Sequence, residues 1–346
     1  MEETVSLFHT TLSTNAFCSL ASVGISLINY YRPKKMVVQN SLKAWLLAAR
    51  PKTLTAASVP VMTGSVMAWD DCAPSPISWF PVILCFLFAF VMQIDANFIN
   101  DYFDFKHGND DETRLGPKRA CAEGWVTSRA MIVAIALTTA LSCLIGLPLI
   151  YYGGLEMLVI GVFCVIFCFL YTTLFSYLGM GDVLVLVFFG IIPVCCTYHI
   201  ACNTLSMQVL SICRTVSVRV FLASIACGLV IDTLLLVNNF RDYDNDKNNN
   251  KNTLIVHIGK KWGCHLYLLF GIIGCFLMEG CLFFGSSSNR FALIPLCLYL
   301  IIHYSTWMKM KRIWSGRPLN EVLGYTARNI LFFGLLTVCS FYINQF

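Results

Sequence analysis

Two short stretches of this 346-residue chain hold nine of its 19 acidic residues. The first contains Asp95, Asp101, Asp104, Asp110, Asp111 and Glu112, and the second Asp242, Asp244 and Asp246. Asn97, Asp101 and Asp104 are spaced i, i+4, i+7, and Asn239, Asp242 and Asp246 are spaced i, i+3, i+7, so on a helix each trio shares one face. Carboxylates set that way repel one another unless cations lie among them, and hard cations take oxygen ligands of this kind. Basic residues border both stretches: Lys106, Arg114, Lys118 and Arg119 around the first, Arg241 within the second. Mg2+ commonly binds one or two carboxylates and fills its shell with water and phosphate oxygens, so acid bordered by base fits a diphosphate better than a bare ion. Solvated loop caps account equally well for Asp111, Glu112, Asp244 and the asparagines at 248–250.

The elements that must carry these residues are set by composition. With 57% hydrophobic residues, 12% charged and a mean hydropathy of +0.70, the chain is far more apolar than a soluble domain, whose charged share is about 25%. It reads as an all-α, polytopic membrane protein. Its 17 cysteines form no CxxC pair and scatter through apolar segments, where Cys behaves as a small hydrophobe, so neither a disulfide framework nor a zinc site is expected. Residues 45–69 read as a short interfacial piece followed by a first span. Further segments able to cross about 30 Å of hydrocarbon lie near 77–101, 129–149, 154–175, 182–202, 219–240, 264–285, 291–308 and 322–343, giving nine helices. Residues 1–40 read as a separate N-terminal extension. Their apolar run, 16–28, is short for a span and lacks the basic start of a signal peptide, which makes Met36 a candidate working start. The domain proper is 41–346.

Basic residues orient the bundle. Nine helices place 20 of the 24 Lys and Arg on the side that carries both acidic stretches, three (Arg214, Arg219 and Arg290) on the other, and Arg328 inside the last helix. That asymmetry predicts that the acidic stretches face the cytoplasm of a cell inner membrane. A diphosphate whose organic part prefers lipid is a prenyl diphosphate, although a cation-coupled transporter has use for the same carboxylates. No nucleic-acid partner is expected.

Seven ordered blocks spanning roughly 41–345 resemble the UbiA superfamily of intramembrane prenyltransferases: WLLAARPKTL (45–54), NDYFDFKHGND (100–110), GPKRA (116–120), YLGMGD (177–182), NNFRDYDNDK (238–247), TLIVHIG (253–259) and GRPLNEVLGYTAR (316–328). WLLAARPKTL and GPKRA point to the branch that acts on 1,4-dihydroxy-2-naphthoate in menaquinone synthesis. The resemblance implies nine helices around a central cavity, with Mg2+ and the diphosphate of a polyprenyl donor held by Asn97, Asn100, Asp101, Asp104 and Asp110 and by Asn239, Asp242 and Asp246. It implies ionisation of the allylic C–O bond, attack by the electron-rich ring and loss of the ring carboxylate as CO2. Arg50, Lys52, Lys118, Arg119 and Arg241 are its candidate anchors for diphosphate or acceptor carboxylate. Another aromatic acceptor is the alternative.

The chain departs from relatives in two places. It runs from YTTLFSY straight into LGMGD, and where other branches carry Tyr-x-x-x-Lys it has Phe175 four residues after Tyr171. Asp182 is either an orienting group or a helix N-cap. Asp95 and Asp232 lie deep enough that cavity-facing, hydrogen-bonded or protonated carboxyls are expected. His107 reads as a solvated loop residue and Arg328 as a snorkelling one. Tyr102, Phe103 and Phe105 flank the acid face, where a ring turned to the cavity could stabilise an allyl cation.

Overall fold

A segment that crosses hydrocarbon must satisfy its backbone polar groups internally, and in the computed structural model of the protein every regular element among the described residues is a helix. The structure describes residues 37–73, 77–108, 114–175, 178–203, 211–249, 251–284 and 289–345. The chain divides into units Met1–Val38 and Gln39–Phe346, and the described helices all belong to the second. Met36 and the apolar run before it lie outside the described residues, as does Asp110.

A short helix α1 (Leu42–Ala49), capped by Ser41, precedes the bundle. The bundle consists of α2 (Leu54–Cys72) followed by α3 (Trp79–Lys106), α4 (Ser128–Gly153), α5 (Leu155–Phe175), α6 (Gly181–Asn203), α7 (Val218–Asn248), α8 (Leu254–Phe283), α9 (Arg290–Ile313) and α10 (Leu319–Asn344). Among the described residues, α3 to α10 are the eight helices long and apolar enough to cross a membrane. The expected ninth, α2, falls short because it carries Thr63, Ser65, Asp70 and Asp71. Twelve of its 19 residues are buried by its neighbours, so it has little need of a lipid-compatible surface. Helix α8 begins ten residues earlier than the hydropathy suggested. Gly259, at φ 82°, kinks it, and residues 254–258 form a turn of helix beside the end of α7.

Position in the bundle follows from surface. Two-thirds (67%) of the apolar stretch of α7 is buried, against 6% for α5, which faces outward. Close helix contact around α7 uses small residues: a Cβ added at Gly190 of α6 would lie 2.7 Å from the Ser224 carbonyl and 2.8 Å from Gly228 Cα. Helices α5 and α6 each contain a π-turn, at Tyr171–Phe175 and Leu186–Ile191. Such turns often mark functional positions in helices.

Candidate active site

Helix α1 stops at Ala49 because Arg50 takes a left-handed conformation (φ 50°, ψ 68°) and Pro51 opens a 3-10 turn. A non-glycine residue is held there at a cost of about 1–3 kcal/mol only where its surroundings insist on it. Here the insistence comes from α3. The Asn97 amide donates to the Ala49 carbonyl and to Thr53 Oγ1, both at 2.9 Å, while Thr53 Oγ1 donates to the Arg50 carbonyl at 2.9 Å. One turn earlier, Gln93 Nε2 reaches Thr53 Oγ1 at 3.4 Å. The elbow turns the Arg50 guanidinium toward Asp101, with Nη2 4.0 Å from Oδ2. Arg50 Nη2 and Gln93 Oε1 are both buried without a hydrogen-bond partner. Burial, and then the nearby Arg119, lower the pKa of Arg50 to about 9, against the opposing pull of Asp101 and Asp104.

Asp101, at 1% exposure, uses its two oxygens on the backbone: Oδ2 accepts from Ala120 N–H at 2.9 Å and Oδ1 from Cys121 N–H at 2.8 Å. It thereby folds the segment after α3 back over the helix end, which brings Arg119 Nη2 to 2.6 Å from Asp104 Oδ2. In the second motif, Arg241 donates through Nε and Nη2 to the two oxygens of Asp242, at 2.8 and 2.6 Å, and through Nη1 to Asn320 Oδ1 at 2.8 Å. Asn320, at the start of α10, donates in turn to the Leu115 carbonyl at 2.8 Å. The next residue is Gly116, where a Cβ would stand 2.9 Å from Arg241 Nη2. The two motifs, about 140 residues apart in sequence, thus meet through the loop that Asp101 anchors.

Asp246 is 5% exposed. Its Oδ1 lies 3.8 Å from Lys251 Nζ, and its Oδ2 is buried without a hydrogen-bond partner. Among the described residues no three His, Cys, Asp or Glu side chains converge on one point as a ready-made metal cage. The donor set instead offers separate carboxylates facing one mouth, which suits an ion that completes its shell with water and phosphate oxygens.

Beneath this mouth lies a cavity of about 350 Å³. Arg50, Thr53, Gln93, Asn97, Asn100 and Asn238 form its polar rim, and its depth is walled by residues such as Phe88, Leu149, Met157, Ile160, Phe167 and Phe188. Below the rim it is an apolar slot.

Of the residues singled out from sequence, the structure gathers Arg50, Asn97, Asn100, Asp101, Asp104 and Arg119 at one side of the mouth, with Asn239, Arg241, Asp242 and Asp246 on the helix opposite. Of these, Arg50, Asn97 and Asn100 line the cavity, whereas Asp101, Asp104, Arg119, Asn239, Arg241, Asp242 and Asp246 are not part of its wall; Lys52 is exposed, and Lys118 is 57% exposed and paired with Glu123. Nor do Tyr102, Phe103 or Phe105 line the cavity; its aromatic walls come from α3, α5 and α6. His107 is tied to its own helix end through Nδ1 and the Phe103 carbonyl at 2.8 Å. Arg328 lies over the rings of Tyr325 and Phe332. Asp95 accepts from Thr138 and Thr139 at 2.5 and 2.7 Å. Sequence reading missed Thr53, Gln93, Thr172, Asn238 and Asn320. Gln93 stands one turn before Asn97 on the same face and was within reach of the helical-spacing argument; Asn320 was not, because only the fold brings α10 to the second motif.

A model of the UbiA prenyltransferase family matches residues 57–340. The chain is 30% identical over 319 residues to the 1,4-dihydroxy-2-naphthoate octaprenyltransferase of Escherichia coli (strain K12), covering 88% of this chain and 96% of that protein. It is 33% identical over 258 residues to the Haemophilus influenzae protein of the same name, covering 71% and 79%. In fold it is similar to a UbiA homolog from Aeropyrum pernix K1 (TM-score 0.63, 13% identity, 84% of this chain and 98% of that one). It also resembles a UbiA homolog from Archaeoglobus fulgidus bound to DMAPP and Mg2+ (TM-score 0.55, 14% identity, 85% and 99%).

Proposed function

We propose, from the premise that this chain belongs to the UbiA prenyltransferase family, that it is a multi-pass membrane prenyltransferase moving a polyprenyl group from its diphosphate onto 1,4-dihydroxy-2-naphthoate. The product is demethylmenaquinol, with diphosphate and CO2 released. The observation that carries this reading is the junction of two acid-and-base motifs over the polar rim of an apolar slot. A diphosphate fits the rim and an isoprenoid tail fits the slot. A cation path, by contrast, needs polar lining through the bundle, and below the rim this cavity is walled by apolar side chains and cysteines, with Tyr171 and Thr197 as the hydroxyl-bearing exceptions.

The metal would be Mg2+, held by carboxylates of the two motifs, Asp104 of the first and Asp242 and Asp246 of the second, with Asp110, which lies outside the described residues, a further candidate from the first motif. Asp101 belongs to the same set, and in the present conformation its oxygens hold the 114–121 loop. When bound, Mg2+ neutralises the charge that grows on the departing diphosphate. The chain's own groups do the rest. Arg119 and Arg241, each already tied to a carboxylate, would turn to the phosphate oxygens of a bound donor. Arg50 lines the cavity, and its Nη2, 4.0 Å from Asp101 and without a hydrogen-bond partner, suits the acceptor carboxylate or a terminal phosphate. The apolar walls keep water from the allylic cation, so that the ring is the nucleophile it meets. The basic end of the bundle faces the cytoplasm of the cell inner membrane, with the carriers of positive charge.

Purified protein in lipid nanodiscs, given Mg2+ and a polyprenyl diphosphate, is assayed against a panel of aromatic acceptors. Demethylmenaquinol and diphosphate are expected with dihydroxynaphthoate. Turnover with a different phenolic acceptor alone would change the substrate, and no diphosphate release with any acceptor would end the prenyltransferase reading of this site.

A further inference from the structure

The exposed residues of α10 are Glu321, Arg328, Phe332, Leu335, Cys339 and Tyr342. Their spacing sets them on one helix face, the face that α10 turns to lipid. Arg328 stands in that stripe nine residues after Leu319, where α10 begins, and so about 14 Å along the helix. A charge so placed needs an anion or a way back to water. Helical side chains lean toward the N-terminus, here the motif end of the bundle. The guanidinium follows that lean: Cζ is 4.9 Å from the ring centroid of Tyr325 and 6.0 Å from that of Phe332. Among the described residues Arg328 has no ion pair. Lys309 of α9 comes to the same tyrosine, with Nζ 4.0 Å from the ring centroid. One carboxylate stands beside the two cations, that of Glu321, whose Oε1 lies 3.6 Å from Lys309 Nζ and accepts from the Tyr325 hydroxyl at 2.8 Å. A positive charge is left over. The two helices are held in register next to this cluster, where Asn329 Nδ2 donates to Thr306 Oγ1 at 2.8 Å. Helix α9 carries a lipid-facing stripe of its own, Leu298, Ile301, Tyr304 and Met308, and Lys311 and Arg312 are exposed in its last turn. Neither Lys309, Tyr325 nor Arg328 lines the cavity.

We propose that Lys309, Tyr325 and Arg328 form a headgroup site for an anionic phospholipid in the leaflet at the motif end of the bundle. The lipid phosphate accepts from the Arg328 guanidinium and the Lys309 ammonium. A guanidinium held over a ring keeps its N–H edges for an anion, so Tyr325 positions both cations without consuming their donors. The acyl chains lie along the apolar stripes that run from this cluster down α9 and α10. Charge selects the occupant. A headgroup with a net negative charge matches the spare positive one, whereas a zwitterionic headgroup brings a further ammonium to a place that already has two cations. Position selects a lipid over a soluble anion, because Arg328 opens onto the lipid-facing stripe. The bound lipid braces α9 against the start of α10, where Asn320 accepts from Arg241 of the second motif. The site depends on α9 and α10 spanning the membrane and not on the reaction.

The test uses the purified full chain, stripped of lipid in a non-ionic detergent and melted with added phosphatidylglycerol, phosphatidylcholine or inorganic phosphate. Phosphatidylglycerol is expected to raise the melting temperature by about 3 °C or more, and the other two to leave it within about 1 °C. In the double variant Lys309→Ala with Arg328→Gln the shift should be lost. Its lipid-free melting temperature should stay within about 2 °C of the wild type, since the ion pair removed is an exposed one. A control double variant, Lys311→Gln with Arg312→Gln, removes as much charge from the same end and should keep the shift. The wild type supplies a reading that needs no variant: native mass spectra after incubation with equal amounts of the two lipids should show phosphatidylglycerol retained about tenfold or more over phosphatidylcholine. Equal retention of the two lipids, an undiminished shift in the first double variant, or an equal loss in the control overturns the site, the last by showing only diffuse attraction to a basic surface. A shift with inorganic phosphate as large as that with phosphatidylglycerol overturns the lipid as its occupant.

Discussion

The bundle carries clusters of arginine and aspartate at both ends, and it uses them in opposite ways. At the end away from the motifs, Arg219 is fully engaged: Nη2 and Nη1 reach Asp70 and Asp71 at 2.5 Å each and Nε donates to the Cys281 carbonyl at 2.7 Å. The guanidinium also covers the Phe341 ring. Tyr198 donates to the second oxygen of Asp71 at 2.8 Å. Five helices, α2, α6, α7, α8 and α10, are tied by one side chain and its partners. At the motif end the charges also pair, yet Arg50 Nη2, Gln93 Oε1 and Asp246 Oδ2 are buried with no hydrogen-bond partner. Leaving a buried polar atom unmatched costs about 1–3 kcal/mol, so several kept together beside a cavity point to a water, ion or ligand that matches them. A closed cluster holds helices; an open one holds a substrate.

The largest expected break in that comparison is Asp246→Asn, which keeps the shape and removes the charge. Turnover should fall about 10³-fold, with at most a small fall in melting temperature, since Oδ2 has no hydrogen-bond partner in the protein and Oδ1 only the 3.8 Å ion pair with Lys251. Unchanged turnover would remove Asp246 from the site. The counterpart is Arg219→Ala. Stripping one member of a buried ion-pair network typically costs about 3–5 kcal/mol, and since Asp71 is partly exposed the lower figure is expected. The melting temperature should drop by several degrees, while KM for both substrates in the surviving folded protein stays at the wild-type value. If Arg219→Ala instead raises KM without loss of stability, the two ends do not differ as described.

That contrast also explains which features of the molecule are legible in its sequence. Polar residues spaced at helical intervals at the end of an apolar run identify themselves, because hydrocarbon tolerates so few of them; this is how Asn97, Asp101, Asp104, Asp242 and Asp246 stand out. Helix count and all-α class follow from the same physics. What sequence hides is which charge meets which. Asp70, Asp71 and Arg219 look no less reactive in the sequence than Asp101 and Arg119, and only the packing of α2 against α7 shows them spent. Lys118 sits beside Arg119 in the sequence, yet the loop turns one outward to Glu123 and the other inward to Asp104. Helix α2 escaped an apolar threshold for a related reason: a helix enclosed by others is free to be polar, and hydropathy measures only what meets lipid.

The finest test of the open cluster is Arg50, which differs from Arg219 mainly in having a nitrogen to spare. Arg50→Gln keeps an amide donor near the elbow and removes the charge. A charge-assisted hydrogen bond is worth about 1.5–3 kcal/mol, so affinity for the anionic ligand that Arg50 meets should weaken roughly 10- to 100-fold. Arg50 Nη2 has no hydrogen-bond partner and its contact with Asp101 is a 4.0 Å ion pair, so the melting temperature should change little. Arg50→Lys separates charge from shape: it keeps the cation but loses the planar fork, and should recover part of the affinity. Which KM moves identifies the partner, the diphosphate donor for a phosphate contact and dihydroxynaphthoate for a carboxylate contact. If neither KM moves and the protein is destabilised instead, Arg50 is a second Arg219, and the distinction between the two ends of the bundle loses its main support.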